Sequence, residues 1–264
     1  MAPVVKIMSQ SGFIYEKKNF IALVEKNEAH SDYHKMMDFI KNCKLSYAML
    51  EAPTIYCEVV EEIWTTAEFN SIDMTISFTL KGKNHCINCD DLQACFKLPE
   101  NNAMTPHTDS DVSSMLDSIG YSLNSANLGS IRRKGLRKEW SFLGDAFIKV
   151  FSGKISNFDA ITSSLVNMLY MLVSDRYFNF SNYVMLELGT RLGNKANRPN
   201  NIYYARFFML LANHVAEGLV ITNENNKLKC WAQEKRVLAD LLRMDLNSSV
   251  PLVYLPIMNA PQVG

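Results

Sequence analysis

The nine residues Leu165-Val166-Asn167-Met168-Leu169-Tyr170-Met171-Leu172-Val173 are apolar on every side of a helix except at Asn167. A helix that is hydrophobic all round has to be enclosed by other elements. Nine residues also fall far short of the ~20 that span a bilayer. The stretch therefore predicts a central core helix. Its lead-in, with Trp140, Leu143, Phe147 and Val150 at helical spacing, predicts a second helix that Ser152-Gly153 ends. Ser156 and Asp159 predict a capping box at the start of the core helix.

Upstream, Phe20, Leu23 and Val24 predict a short helix from Asn19, and Tyr33, Met36, Met37 and Ile40 predict another with Ser31 or Asp32 as its cap. The first fifteen residues show no period and are expected to fray. Pro53-Thr54 opens a clearer pattern, in which Ile55, Tyr56, Val59, Val60, Ile63, Trp64 and Ala67 form one apolar stripe. Glu58, Glu61, Glu62 and Glu68 fall mainly off that stripe and predict an acidic exposed face.

The period then becomes two. Met74, Ile76, Phe78 and Leu80 alternate with Thr75, Ser77 and Thr79, Lys81-Gly82-Lys83 turns, and His85 and Ile87 return, which predicts a hairpin over 74–88. Asp90 is placed to cap a helix carrying Leu92, Cys95 and Phe96, and Ser110–Ile119 reads as the next helix, closed by Gly120. Helices are further expected over 181–192, around Tyr203, Phe207, Leu210 and His214, and around Val237–Leu242. A second small hairpin is expected over 219–231. The fold class is therefore mainly α, bundle-like, with one or two small hairpins. Its expected parts are an acidic helical region over 15–125, a basic helical region over 139–246, and a tail over 247–264 with Pro251, Pro256 and Pro261.

With 48% hydrophobic and 20% charged residues the chain is of ordinary globular composition, and 14 Met with 14 Phe suit an adaptable core. No stretch combines a basic start, an apolar run and a small-residue cleavage site, so an intracellular protein is expected, cytoplasmic rather than nuclear and without a membrane span. Net charge is zero, yet residues 1–130 carry 10 Lys and Arg against 17 Asp and Glu, a net of −7, and residues 131–264 carry the reverse, +7. Such asymmetry can orient contacts between subunits, aim the basic half at a polyanion, or merely describe two solvated faces.

Chemistry is mostly missing. There is no P-loop, dinucleotide-binding glycine turn or nucleophile elbow. His30 and His34 have i, i+4 spacing but no metalloprotease context. His85-Cys86-Ile87-Asn88-Cys89 with Cys95 contains half of a zinc site, and no second pair completes it, so core thiols beside a hairpin are the reading. No catalytic residue, metal, cofactor or small-molecule substrate is assigned. Arg132-Arg133-Lys134-Gly135-Leu136-Arg137-Lys138 places five basic residues in seven, which can neutralise phosphates without reading sequence. The plainer reading of the same run is a solvated linker, with Trp140 turned into the core.

One succession of residues carries a resemblance. Pro53-Thr54-Ile55-Tyr56 leads to Ile63-Trp64-Thr65-Thr66-Ala67, then Leu80-Lys81-Gly82-Lys83, then Asp91-Leu92 to Phe96-Lys97-Leu98-Pro99-Glu100. Glu139-Trp140-Ser141-Phe142-Leu143 and Tyr177-Phe178-Asn179-Phe180-Ser181 follow. Over roughly 20–215 this order resembles the gag-like, coat-protein region of plant LTR retrotransposons. The resemblance implies a non-enzymatic protein that self-associates as a homo-oligomer and gathers RNA. It departs from that pattern in lacking a Cys-Cys-His-Cys knuckle and in predicting a hairpin where gag capsids are helical. On this reading Arg132, Arg133, Lys134, Arg137 and Lys138 are the nonspecific RNA contacts. The alternative is a host-adopted interaction module binding another protein through Glu58, Glu61, Glu62 and Glu68 or the Pro-containing tail. An enzyme of unrecognised type stands third.

Overall fold

A computed structural model describes residues 7–16, 18–99, 108–118, 121, 131–153, 160–174, 178–216, 218, 221 and 226–233. The fold is mainly α. The helices among the described residues are α1 (His34–Asn42), α2 (Ser46–Leu50), α3 (Cys57–Thr66), α4 (Cys89–Phe96), α5 (Asp109–Ser118), α6 (Lys138–Phe151), α7 (Ser163–Ser174), α8 (Phe180–Leu192) and α9 (Ala205–Val215).

The expected core helix is α7, with Leu165, Val166 and Met168 to Leu172 all buried. It starts at Ser163, where the Thr162 hydroxyl accepts from the Leu165 N–H at 3.4 Å. The Ser156–Asp159 capping box lies outside the described residues. The lead-in helix α6 is more enclosed than its spacing foretold. From Glu139 to Phe151 only Lys149 escapes full burial, and Trp140 is 3% exposed, inside the core.

The expected hairpin forms and acquires a third strand. β4 (Glu68–Asn70), β5 (Thr75–Leu80) and β6 (Lys83–Ile87) make an antiparallel sheet with β5 in the centre. Leu80 pairs with Lys83, so Lys81-Gly82 is a two-residue loop, and both residues have positive φ, 50° and 73°. That is the twist-matched loop geometry a tight hairpin prefers. Ile76, Phe78 and Leu80 face the core while Ser77 and Thr79 face outward, as the alternation requires. Phe69 on β4 packs on α8, where a Cβ on Gly189 would stand 2.4 Å from its ring.

Several boundaries depart from expectation. Ile55–Tyr56 is a strand, β3, and not the first turn of α3. Residues 19–27 are not helical: Asn19 is a bend and Ile21 bridges to Ala232, because Asn19 and Ala22 hydrogen-bond to distant elements. The described part of the first fifteen residues contains β1 (Ile7–Met8) and β2 (Ile14–Tyr15), and β2 runs parallel to β9 (Asn201–Ile202). The cap of α1's approach is Asn27, and that of α4 is Asn88 in a capping box with Asp91, not Asp90. Within the second expected hairpin, over 219–231, β10 (Lys227–Leu228) pairs with β3, and residues 219–220 and 222–225 lie outside the described residues. Two further short strands, β7 (Ile131–Arg132) and β8 (Ala160–Ile161), pair with each other. The expected helix at 237–242 and the tail lie outside the described residues.

The regions on either side of residue 130 share one hydrophobic core. Arg206, completely buried on α9, ties them. Its guanidinium donates to the carbonyls of Asn19 (3.1 Å), Glu51 (2.9 Å) and Ala48 (2.7 Å). Asn19, at φ 55° and 0% exposed, donates to Val150 O and accepts from Phe207 N, both at 2.9 Å. Arg198 acts in the same way at the surface. It donates to Trp64 O, Ala67 O and Leu192 O, and so satisfies the C-terminal carbonyls of α3 and α8.

Replacing Arg206 by Met keeps most of the volume but leaves three buried carbonyls without a donor, which costs on the order of 3 kcal/mol or more. A urea unfolding midpoint unchanged from wild type would show that those bonds contribute little.

Candidate functional site

The basic run begins in β7 and passes through a 3-10 turn at Arg133–Gly135 before α6. The turn is pinned by Tyr121, whose hydroxyl accepts from the Arg132 N–H at 3.1 Å and whose ring covers Gly135. Arg132 is exposed. Arg133 donates into the fold, to the carboxylate of Asp145 on α6. Asp145 is 2% exposed and also receives Lys149 at 2.9 Å and the Gln233 amide at 2.7 Å. Gln233 in turn accepts from the Leu23 N–H at 3.0 Å. Asp145 thus joins the basic turn, its own helix and two extended segments.

The other members of the run also have carboxylate neighbours. Arg137 lies 3.9 Å from Glu139, itself 6% exposed, and Lys138 lies 2.7 Å from Asp32. The side chain of Lys134 lies outside the described residues. Residues adjacent in sequence therefore do not form one open cationic surface. Arg132 faces solvent, and Arg133, Arg137 and Lys138 face acids.

The expected acidic face needs one correction. Glu61 is 7% exposed and faces the amino-terminal strands, where it accepts from Ser11 Oγ at 2.6 Å and Tyr15 OH at 3.2 Å. Cys57, Glu61 and Trp64 stand at i, i+4 and i+7 on one buried face of α3, a spacing that the stripe of apolar residues leaves out. Glu58 pairs with Lys81 at 3.0 Å, Glu68 with Lys195 at 2.9 Å, and Glu62 is half-buried.

The zinc-like motif is taken apart by strand geometry. Neighbouring residues of β6 face opposite ways, so His85 stacks on Phe78 at 5.5 Å on the core side while Cys86 lies opposite Ser77 on the solvent side. Ile87 is in the strand and Asn88 is extended at φ −113° and ψ −172°, which sets the Cα atoms of Cys86 and Cys89 about 10 Å apart. That is too far for a disulfide. Cys95 is buried. No group of three or more His, Cys, Asp or Glu able to hold a metal occurs among the described residues. His30 sits at a kink, φ −131°, and does not share a helical face with His34.

The solvent side of this sheet carries an open groove of about 380 Å³, lined by Thr66, Glu68, Ser77, Thr79, Asn84 and Cys86 among others. Its polar groups bind one another: Thr79 Oγ1 donates to Asn84 at 2.9 Å, and Thr66 Oγ1 bridges to the Thr79 backbone. Sequence reading passed over the groove, although the Ser77 and Thr79 alternation marks its floor.

Buried acids are held protonated elsewhere. Burial pushes the thiols of Cys43 and Cys230 up to about 11 and that of Cys95 up to about 12. It also raises the phenols of Tyr15, Tyr183 and Tyr204, helped by Cys57 and Glu61 near Tyr15 and by Glu187 near the other two. Tyr204 donates its one proton to Glu187 at 2.9 Å with Phe151 O a longer contact at 3.4 Å, and Tyr183 OH reaches the same carbonyl at 3.5 Å. These are structural bonds that close the end of α6.

Searches against protein families, characterised proteins and solved structures each returned no match to this chain. No helix among the described residues is long and apolar enough to cross a membrane.

Two outcomes are expected. Arg133→Ala removes one partner of a buried carboxylate that keeps two others, and lowers stability by about 1–3 kcal/mol. Arg132→Ala, at the exposed neighbour, stays within about 0.5 kcal/mol in the same urea titration. In alkali, the unfolded chain loses its thiol and phenol protons first, since every folded value named above is raised. Their stabilisation is complete below pH 9 and is lost as pH rises from there through the folded values. The urea midpoint therefore falls between pH 8.5 and pH 10.5, read by far-ultraviolet circular dichroism.

Proposed function

We propose that the chain is a non-enzymatic structural protein of the retrotransposon gag-like kind, a bundle-like cytoplasmic scaffold that self-associates and touches RNA without sequence preference. The observation that carries this reading is what the buried charged groups bind. Arg206 holds carbonyls of three segments, Asp145 receives Arg133, Lys149 and Gln233, and Glu61 anchors the amino-terminal strands. Groups of this kind act as ties in a rigid frame, where a catalyst would aim them at a cavity. The residue order over 20–215 supports the same reading.

RNA contact takes second place in this proposal. Arg132 is the exposed member of the run, whereas Arg133, Arg137 and Lys138 have first to leave Asp145, Glu139 and Asp32. The −7 and +7 halves also meet inside one molecule, through the Lys138–Asp32 and Lys195–Glu68 ion pairs. Self-association then depends on surfaces and not on overall polarity.

Light scattering on size-exclusion eluates over a range of protein and salt concentrations tests the proposal. The expected result is a mass that rises with protein concentration, with a weak, salt-sensitive retardation of single-stranded RNA. A monomer under every condition, with one stoichiometric protein partner recovered from an extract and no RNA shift, would favour the interaction-module reading instead.

A further inference from the structure

Strand β6 is an edge. Its one partner among the described residues is β5, and Lys83, Asn84 and Cys86 are exposed along it. An open edge presents unpaired N–H and C=O groups to any strand that can lie beside it. The two ends of this one differ in charge. Lys81 and Lys83 stand where β6 begins, and Asp90 and Asp91 stand just past its end, in the first turn of α4.

Two of these four charges are held internally. Lys81 pairs with Glu58 at 3.0 Å, and Asp91 accepts from the Asn88 N–H at 2.9 Å. Lys83 and Asp90 are both exposed, and neither makes an ion pair among the described residues.

We propose that β6 is a self-pairing edge, through which two copies of this chain join antiparallel about a two-fold axis at His85. The proposal rests on the self-association reading above and names its surface. In the register that pairs all five residues, Lys83 lies opposite Ile87 of the second copy, Asn84 opposite Cys86, and His85 opposite its counterpart. The basic start of each strand then lies beside the acidic end of the other, twice by symmetry. Parallel pairing sets Lys83 against Lys83 and Asp90 against Asp90, and like charges placed together repel.

Lys83 shares the core-facing side of β6 with His85 and Ile87, opposite Leu80. A charge on that side of an edge strand deters most docking strands. Here it selects the one arrangement that brings a free carboxylate alongside. Five residues per copy bury far less than the ~800 Å² per partner of a stable pair, so the contact is reversible and concentration-dependent.

Charge exchange in the full-length chain is the test, with concentration-dependent light scattering as the readout. Lys83→Asp and Asp90→Lys should each weaken association about tenfold, and the double variant K83D/D90K should restore it. Neither residue is buried, and the cap of α4 uses Asn88 and Asp91, so circular dichroism spectra should match wild type. A second probe is His85→Cys in a Cys86→Ser background. A small-molecule disulfide should then link two copies through residue 85, taking up two electrons and two thiol protons as it is reduced to two thiols. Ser77→Cys, on the central strand, should not link.

Loss in both single variants without recovery in the double overturns the proposal, as does linkage of residue 85 only to some other protein. Self-association that ignores all of these changes, with no linkage at 85, overturns the edge while leaving the gag-like reading standing. A wild-type chain that stays monomeric at every concentration overturns both.

Discussion

A guanidinium sealed inside an apolar core has few ways to remain charged, and Arg206 uses three backbone carbonyls to do so. Burial still draws its value down to about 10, so at neutral pH it is a full cation whose field is met by peptide dipoles and by the Glu51 carboxylate. The carbonyls belong to Asn19, Ala48 and Glu51, which are close neighbours only in the folded chain. Each has to arrive for the charge to be tolerated. Asn19, at positive φ, adds a bond to α6 and one to α9. The remaining architecture hangs on this junction, because it joins the extended amino-terminal segment, the end of α2, the end of α6 and the start of α9.

The same logic recurs at lower cost nearer the surface. Arg198 closes the carboxyl ends of α3 and α8 and lies over the Trp64 ring, whose indole N–H donates to Pro199 O at 3.0 Å. Asp145 is the inverse case, a buried anion satisfied by two cations and an amide. Together these contacts change the meaning of the charge asymmetry. Lys138–Asp32 and Lys195–Glu68 join the acidic first half to the basic second half, and within the basic run Arg133 is taken up by Asp145.

Period and punctuation made much of the secondary structure legible. The 3.6-residue stripes located α1, α3, α6, α7, α8 and α9, and the two-residue alternation located β5 and its turn. Elements whose partners are far away in sequence were not legible. β2 with β9, β3 with β10 and β7 with β8 are two-residue strands that exist because distant backbone groups need partners, and two residues carry no period. For the same reason Phe20, Leu23 and Val24 passed for a helix. Phe20 and Leu23 are buried and Val24 packs beside them, while the backbone of Phe20, Ile21 and Ala22 donates to Lys149, Trp231 and Met49 and not along a helix.

By itself the amino-acid sequence determined that this is a mainly helical protein with a tight hairpin, a core helix apolar on all sides and a buried Trp140. Periodicity is a local property, and each of these follows from it. Only the tertiary structure decided which charges are free. Glu61 reads as a surface group because it is a carboxylate outside the apolar stripe, and Arg133 because it lies in a basic run, yet both face carboxyl or hydroxyl partners brought from elsewhere in the chain. Ion pairing depends on distances of a few ångströms across the fold, which no spacing along the chain encodes.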